Sequence, residues 1–341
     1  MTARRLSILG LAGLLLAACA VPSPSVRPSA SATPSVAALR PVRLLLGFRP
    51  DVQFSPFYLA QQAGYYADAG FTVTIEYKSD ADLVRLVADG QAEFGVADAT
   101  DVMISRTAGI PIRYVSTLYD LFPVALIGPA GKVPRAGDLA SLAGKRIGTP
   151  GKYGSSWHAL LAILDAAGLK EADVTIREYP AFNQVDGLLN GDVDLITGFR
   201  NNEPLRLAAR GMAVELLTVE DVAPLPGPGI IVGDQLLADE PATVAAFVAA
   251  TLKALQAIAA DPRIGLEAAI SVEPTIAGDG TTALAVLEAT IDLWRGGGSV
   301  PSGAIHEAIW VRGYATMRRL GLVDGSVPVR EMFRVILPGG G

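Results

Sequence analysis

Cysteine and histidine are almost missing from this 341-residue chain, which has one Cys, Cys19, and two histidines, His158 and His306. A disulfide within the chain is excluded, and so is a thiolate metal site. The histidines lie far apart in sequence, so a histidine-based zinc site or a Ser-His-Asp triad has little to draw on. Positive charge is also short: the formal net charge is -6, and an acidic balance argues against nucleic acid as a partner. Carboxylates are plentiful, yet no spacing pairs two of them for acid–base work. No catalytic residue, metal or cofactor is expected.

Long apolar runs are few. Residues 242–260 approach the length of a membrane span, but Val244, Phe247, Val248, Thr251, Leu252, Leu255 and Ile258 recur at three- and four-residue steps. Lys253 and Gln256 fall off that stripe, Asp239-Glu240-Pro241 opens the run and Asp261-Pro262 closes it. A buried amphipathic helix is predicted. The other run lies between Arg4-Arg5 and Leu16-Ala17-Ala18-Cys19, and only thirteen residues separate Arg5 from Cys19. That is short of the ~20 residues of a spanning helix. A basic start, an apolar centre and small residues before a cleavage point make residues 1–18 an export signal. Cys19 stands where a bacterial lipoprotein is cut and its thiol lipidated; the alternative is an ordinary signal with an incidental Cys. Loss of Arg4 and Arg5 with the signal takes the net charge to -8.

Residues 19–39 then read as a lipidated Cys and a tether of Pro, Ser, Ala, Thr and Val, too poor in large apolar groups to build a core. Such a tether reaches ~25 Å as a flexible coil and ~60 Å as polyproline II. The mature protein is expected outside the cytoplasm, lipid-anchored to the cell membrane and monomeric.

From residue 40 onward some 300 residues suit two lobes. Strand and helix patterns alternate: 42–48, 71–77, 93–97 and 112–118 read as strands, with a helix starting at Ser55-Pro56 and others near 80–87 and 102–108. A second series has strands at 146–149, 174–179 and 193–198 and helices at 157–167 and 183–189. Strands 214–218 and 229–232 lead back to the long helix. This βαβ rhythm predicts an α/β fold of mostly parallel sheets covered on both faces. Lobe one is expected at 40–122 plus 229–341 and lobe two at 123–228, with a hinge and a ligand cleft between them.

Ligands of parallel α/β sheets sit outside the carboxyl ends of strands, and polar and aromatic residues gather there. In Gly151-Lys152-Tyr153-Gly154-Ser155-Ser156-Trp157 the serines are candidate helix caps, and the free N–H groups face an anionic or carbonyl oxygen. The Gly-Lys-Ser ending of a nucleotide phosphate loop is missing, so ATP is rejected. Tyr153 and Trp157 offer stacking faces, although Trp157 equally suits packing between sheet and helix. In Gly198-Phe199-Arg200-Asn201-Asn202-Glu203-Pro204, Glu203 is placed to accept from a ligand N–H or to complement a helix N-terminus. Asn183, Asn201, Asp51, Gln53 and Asp98 are further polar candidates, Asp98 also as a cap and Asp51 also as an ion-pair partner of Arg49. Phe54 and Tyr119 are candidate cleft aromatics. His158 reads as structural.

Residues 42–48 (VRLLLGF), 54–66 (FSPFYLAQQAGYY) and Leu142-Ala143-Gly144-Lys145-Arg146-Ile147-Gly148 resemble the SsuA-like, NMT-type (thiamine-pyrimidine-synthase-like) family of solute-binding proteins of ABC importers. The resemblance covers residues 42–261. It implies a type II periplasmic-binding-protein fold and a small-molecule ligand closed between lobes for delivery to an ABC permease with its ATPase. Residues 47–54 and Phe122-Pro123-Val124-Ala125 are closest to the riboflavin-binding branch, so a flavin is the first expectation, a thiamine-type pyrimidine the second and a sulfonate or nitrate-type anion the alternative. The pyrimidine synthase of yeasts carries a Cys-rich run and a substrate-donating His. Neither stands here, so an enzyme is not expected.

Overall fold

The computed structural model describes residues 38–336. The predicted export signal, Cys19 and nearly all of the tether lie outside the described residues.

Strands β1 (Arg40–Leu46), β2 (Phe71–Tyr77), β3 (Phe94–Ala97) and β4 (Ile112–Thr117) enter a first sheet. Strands β5 (Val124–Pro129), β6 (Arg146–Thr149), β7 (Thr175–Glu178), β8 (Leu195–Phe199) and β9 (Val214–Thr218) form a second, and β10 (Gly229–Gly233) returns to the first. The orders are β2-β1-β3-β10-β4 and β7-β6-β8-β5-β9. Both sheets follow one plan. In each, three strands pair in parallel (β1, β2 and β3; β6, β7 and β8), and the strand that has just crossed over from the other sheet (β10; β5) runs antiparallel between them and the fifth. Each sheet is therefore mixed by one strand, with the other four pointing the same way, as the mostly parallel α/β expectation requires.

Continuous apolar runs form these strands because each sheet is covered on both faces. In β1, Val42, Leu44 and Leu46 enter one core cluster and Leu45 another. In β5, Val124 and Leu126 face one cluster and Ala125 and Ile127 the other. The helix Pro241–Ala260 is, among the described residues, the one helix long and apolar enough to cross a membrane. Its predicted stripe is buried in the first lobe: Val244, Phe247, Val248, Thr251, Leu252, Leu255 and Ile258 all lie inside. Phe247 stacks between Tyr66, with centroids 4.9 Å apart, and Phe94, 3.8 Å apart.

Helix starts differ in detail from the sequence reading. Phe54, not Ser55, is the N-cap of the helix Ser55–Gln62, with Pro56 within its first turn. Ahead of it, the short 3-10 turn Val52–Phe54 is capped by Asp51, which accepts from the Gln53 amide. The helix expected from residue 157 starts earlier and spans Gly154–Ala166, so Ser155 and Ser156 lie inside it and do not cap it.

Candidate functional site

The carboxyl ends of β1, β3, β6, β7 and β8 converge on one cavity of about 520 Å³, within the ~300–1,000 Å³ usual for small-molecule sites. Gly47, Phe48, Gln53, Phe54, Asp98 and Tyr119 line it from the first lobe, and residues after β6, β7 and β8 from the second. The two connecting segments run side by side behind it. Leu118 N–H and Tyr119 N–H both donate to the Pro228 carbonyl at 3.1 Å. Gly227 lies so close to the Tyr119 carbonyl that a Cβ has no room.

Nine of the twelve candidate ligand residues line this cavity: Gln53, Phe54, Asp98, Tyr119, Tyr153, Ser155, Ser156, Asn183 and Glu203. Three stand behind the wall, which corrects their placement. Asp51 is buried as the cap described above, and its ion-pair partner is Arg206, at 3.6 Å, not Arg49. Asn201 is buried as a strut between lobes, donating to Gln53 Oε1 at 3.0 Å and to Thr290 Oγ1 at 2.7 Å. Trp157 packs in the core of the second lobe with Leu160 and Ile163, and its ring is covered by Lys152 Nζ at 5.4 Å. Its indole is a packing group and not a stacking face for ligand.

Glu203 is the polar centre of the cavity. Its Oε2 accepts from Phe199 N–H at 2.7 Å and its Oε1 from Gln184 Nε2 at 3.3 Å. The carboxyl lies against Gly198, where a Cβ would come within 2.8 Å of Glu203 Cγ, so the strand end admits no side chain there. Burial pushes the Glu203 carboxyl up to about 7, against the pull of its backbone donors and of Arg206. Gln184 is 1% exposed, and its Oε1 has no hydrogen-bond partner among the described residues.

Asp98 is held from across the cleft. Its Oδ2 accepts from Ser155 N–H at 2.7 Å, in the first turn of the helix Gly154–Ala166, and burial raises its carboxyl to about 6. Beside it, His158 Nδ1 lies 2.9 Å from Thr100 Oγ1 and 3.8 Å from Asp101 Oδ1. Burial depresses the His158 imidazole to about 4, below its ordinary 6.5. The folded chain thus holds His158 neutral where the unfolded chain protonates it, between about pH 6.5 and 4. Stability is lost as pH falls through that window. His158→Gln is expected to recover up to ~3 kcal/mol of that acid loss, read as thermal midpoints of both proteins between pH 7 and pH 4.5. Parallel curves would show that His158 is not the group responsible. Asp98 and Glu203 titrate in the opposite sense, so only the difference between the two proteins isolates the histidine.

Several wall residues were not singled out beforehand. Phe182 carries φ +54°, the one positive φ outside glycine among the described residues. Its ring meets Phe48 of the other lobe edge-on, with centroids 4.9 Å apart. Arg206 follows Glu203 by one helical turn, and Phe199 precedes it. Phe182 and Gln184 lie in a polar strand-end segment that periodicity does mark. Phe48 falls only within the expected strand 42–48 and the segment 47–54, and the structure places it after β1, which ends at Leu46.

The NMT1/THI5-like family model matches residues 51–264. The chain is 33% identical over 338 residues to the riboflavin-binding protein RibY of Chloroflexus aurantiacus, covering 96% of this chain and 95% of that protein. It is 26% identical over 239 residues to a 4-amino-5-hydroxymethyl-2-methylpyrimidine phosphate synthase of Uromyces fabae, covering 65% of this chain and 68% of that one. Among solved structures it superposes on the alkanesulfonate-binding protein SsuA of Xanthomonas axonopodis pv. citri bound to MOPS. The TM-score is 0.65 at 18% identity, covering 88% of this chain and 99% of that one. The SsuA protein of Escherichia coli gives a TM-score of 0.66 at 14% identity, covering 89% and 94%. The fold is that of the periplasmic binding proteins, two α/β lobes with a cavity between them, and the chain belongs to the NMT1/THI5-like family.

Proposed function

We propose that this chain is an extracytoplasmic solute receptor of an ABC importer, lipid-anchored through Cys19. In this reading it captures a planar aromatic heterocycle, a flavin before a thiamine-type pyrimidine, and delivers it to a permease with its ATPase. The lobes are residues 40–122 with 229–341, and residues 123–228. The observation that carries the reading is the chemistry of the cavity. Aromatic rings stand in its walls, and its polar groups include the enclosed carboxyls of Glu203 and Asp98. Such a set suits a flat, uncharged ring edge carrying N–H donors and repels a sulfonate or nitrate. Of the cavity arginines, Arg206 is paired with Asp51 and Arg210 with Asp186, while Arg49 lies over the Phe48 ring at 5.2 Å. The extended similarity to a protein named for riboflavin binding supports a flavin first.

Capture works by lobe closure: contacts made by the ligand to both lobes favour the closed form by their difference in affinity. Taking an open-to-closed ratio from 99:1 to 1:99 requires ~5.5 kcal/mol of such difference.

The purified protein is expected to quench riboflavin fluorescence saturably, at one ligand per chain, and to carry over flavin absorbance when expressed in flavin-replete medium. Flat titrations with riboflavin, flavin mononucleotide and an aminopyrimidine would end the heterocycle reading. Turnover of any of them would move the chain to the enzyme class.

A further inference from the structure

We propose that Asp98 is a built-in anion of the cleft, a selectivity residue that occupies the helix amide an anionic solute would otherwise take and so confines the site to uncharged or cationic ligands. The helix Gly154–Ala166 opens at the cavity with Tyr153 at its N-cap and no side-chain cap of its own. A first turn in this state offers free N–H groups and the positive end of the helix dipole. Here one of those donors is already used. Ser155 N–H donates to Asp98 Oδ2 at 2.7 Å. The carboxylate comes from the opposite lobe, off the end of β3, and itself lines the cavity.

The other polar groups point the same way. Glu203 is a second enclosed carboxyl in the cavity. An anion entering beside this helix meets the Asp98 and Glu203 carboxyls and finds the Ser155 amide taken, while Arg206 and Arg210 are engaged by Asp51 and Asp186 and Arg49 lies over Phe48. An uncharged ring edge with N–H groups meets complementary partners. The same contact joins the lobes, together with Thr100 and His158, so selectivity and closure share one residue.

This inference rests on the cleft being the solute site, but its test does not need the heterocycle. Wild type, Asp98→Ala and Asp98→Asn are titrated calorimetrically with MOPS and with sodium nitrate at fixed ionic strength, and with riboflavin in parallel. Wild type is expected to take neither anion. Asp98→Ala, which vacates the amide, should gain at least tenfold in affinity for one of them. Asp98→Asn, which keeps the shape and an acceptor, should gain less, by removing charge alone. Circular dichroism identifies which variants are folded, and either folded variant suffices. Anion binding by wild type equal to that of the variants, or no threefold gain in any folded variant, overturns the proposal. Anion gain in the variants with no riboflavin binding by wild type would sustain the role of Asp98 and sink the flavin reading instead.

Discussion

Phe247→Ala is expected to destabilise the protein by about 3–5 kcal/mol, the range for removing a large buried aromatic side chain. The ring is fully buried, stacked on one face against Tyr66 with an interplanar angle of 9° and on the other against Phe94 at 7°, with Phe71 meeting it at a steeper angle. Each such pair adds ~0.5–1.5 kcal/mol beyond the buried area. Tyr66 and Phe94 are pinned by other contacts. Tyr66 shares its hydroxyl with Thr251 Oγ1 at 2.9 Å, and Phe94 is fixed in β3 beside β1 and β10. The cavity left behind therefore cannot close by collapse of its neighbours. Denaturant unfolding followed by far-UV circular dichroism measures the loss. A change under 1 kcal/mol would mean that the stack is not part of the folded core. Ligand affinity of the folded fraction should stay near wild type, because Phe247 is remote from the cavity wall.

Glu203→Gln is expected to weaken heterocycle binding by about 10- to 100-fold, the equivalent of losing a charge-assisted hydrogen bond of ~1.5–3 kcal/mol. The sign of the accompanying pH dependence follows from burial. With its carboxyl pushed up to about 7, Glu203 in the empty cleft is largely protonated at pH 6 and largely ionised at pH 8. A ligand N–H donating to it favours the ionised form, so binding releases a proton and wild-type affinity should rise as pH goes from 6 to 8. Glutamine has nothing to titrate, so the slope should flatten in the variant to what Asp98, raised to about 6, contributes near the lower end of the range. Titrations at three pH values in two buffers of different ionisation enthalpy measure both effects. A variant with wild-type affinity and a wild-type slope would remove Glu203 from the site.

The site was legible in the sequence to the extent that it depends on strand ends. Runs such as residues 93–97 and 193–198 locate strands to within a residue or two, and the polar residues just after them face a cleft because parallel strands deliver their carboxyl ends to one edge. Asp98 and Glu203 were found in this way. The three misplaced residues share one cause. Trp157, Asn201 and Asp51 stand one or two positions from a wall residue, on helix starts or tight turns where neighbouring side chains diverge by about 100°. Ser155 reaches the cavity while Trp157, two positions on, faces the sheet. The start of the helix Gly154–Ala166 was missed because its capping partner comes from 57 residues away, beyond any local signal.

Composition and period by themselves determined the α/β class, the buried helix at residues 241–260, the polar strand ends and the improbability of metal or thiol chemistry, since these follow from which side chains are present and how apolar positions repeat along the chain. Only the tertiary structure decided that β5 and β10 run antiparallel, that Asp98 of one lobe closes the helix of the other, that Phe48 meets Phe182 across the cleft, and that Trp157 lies in the core. Those outcomes depend on contacts between segments distant in sequence, and local pattern carries no information on which distant partner will be there.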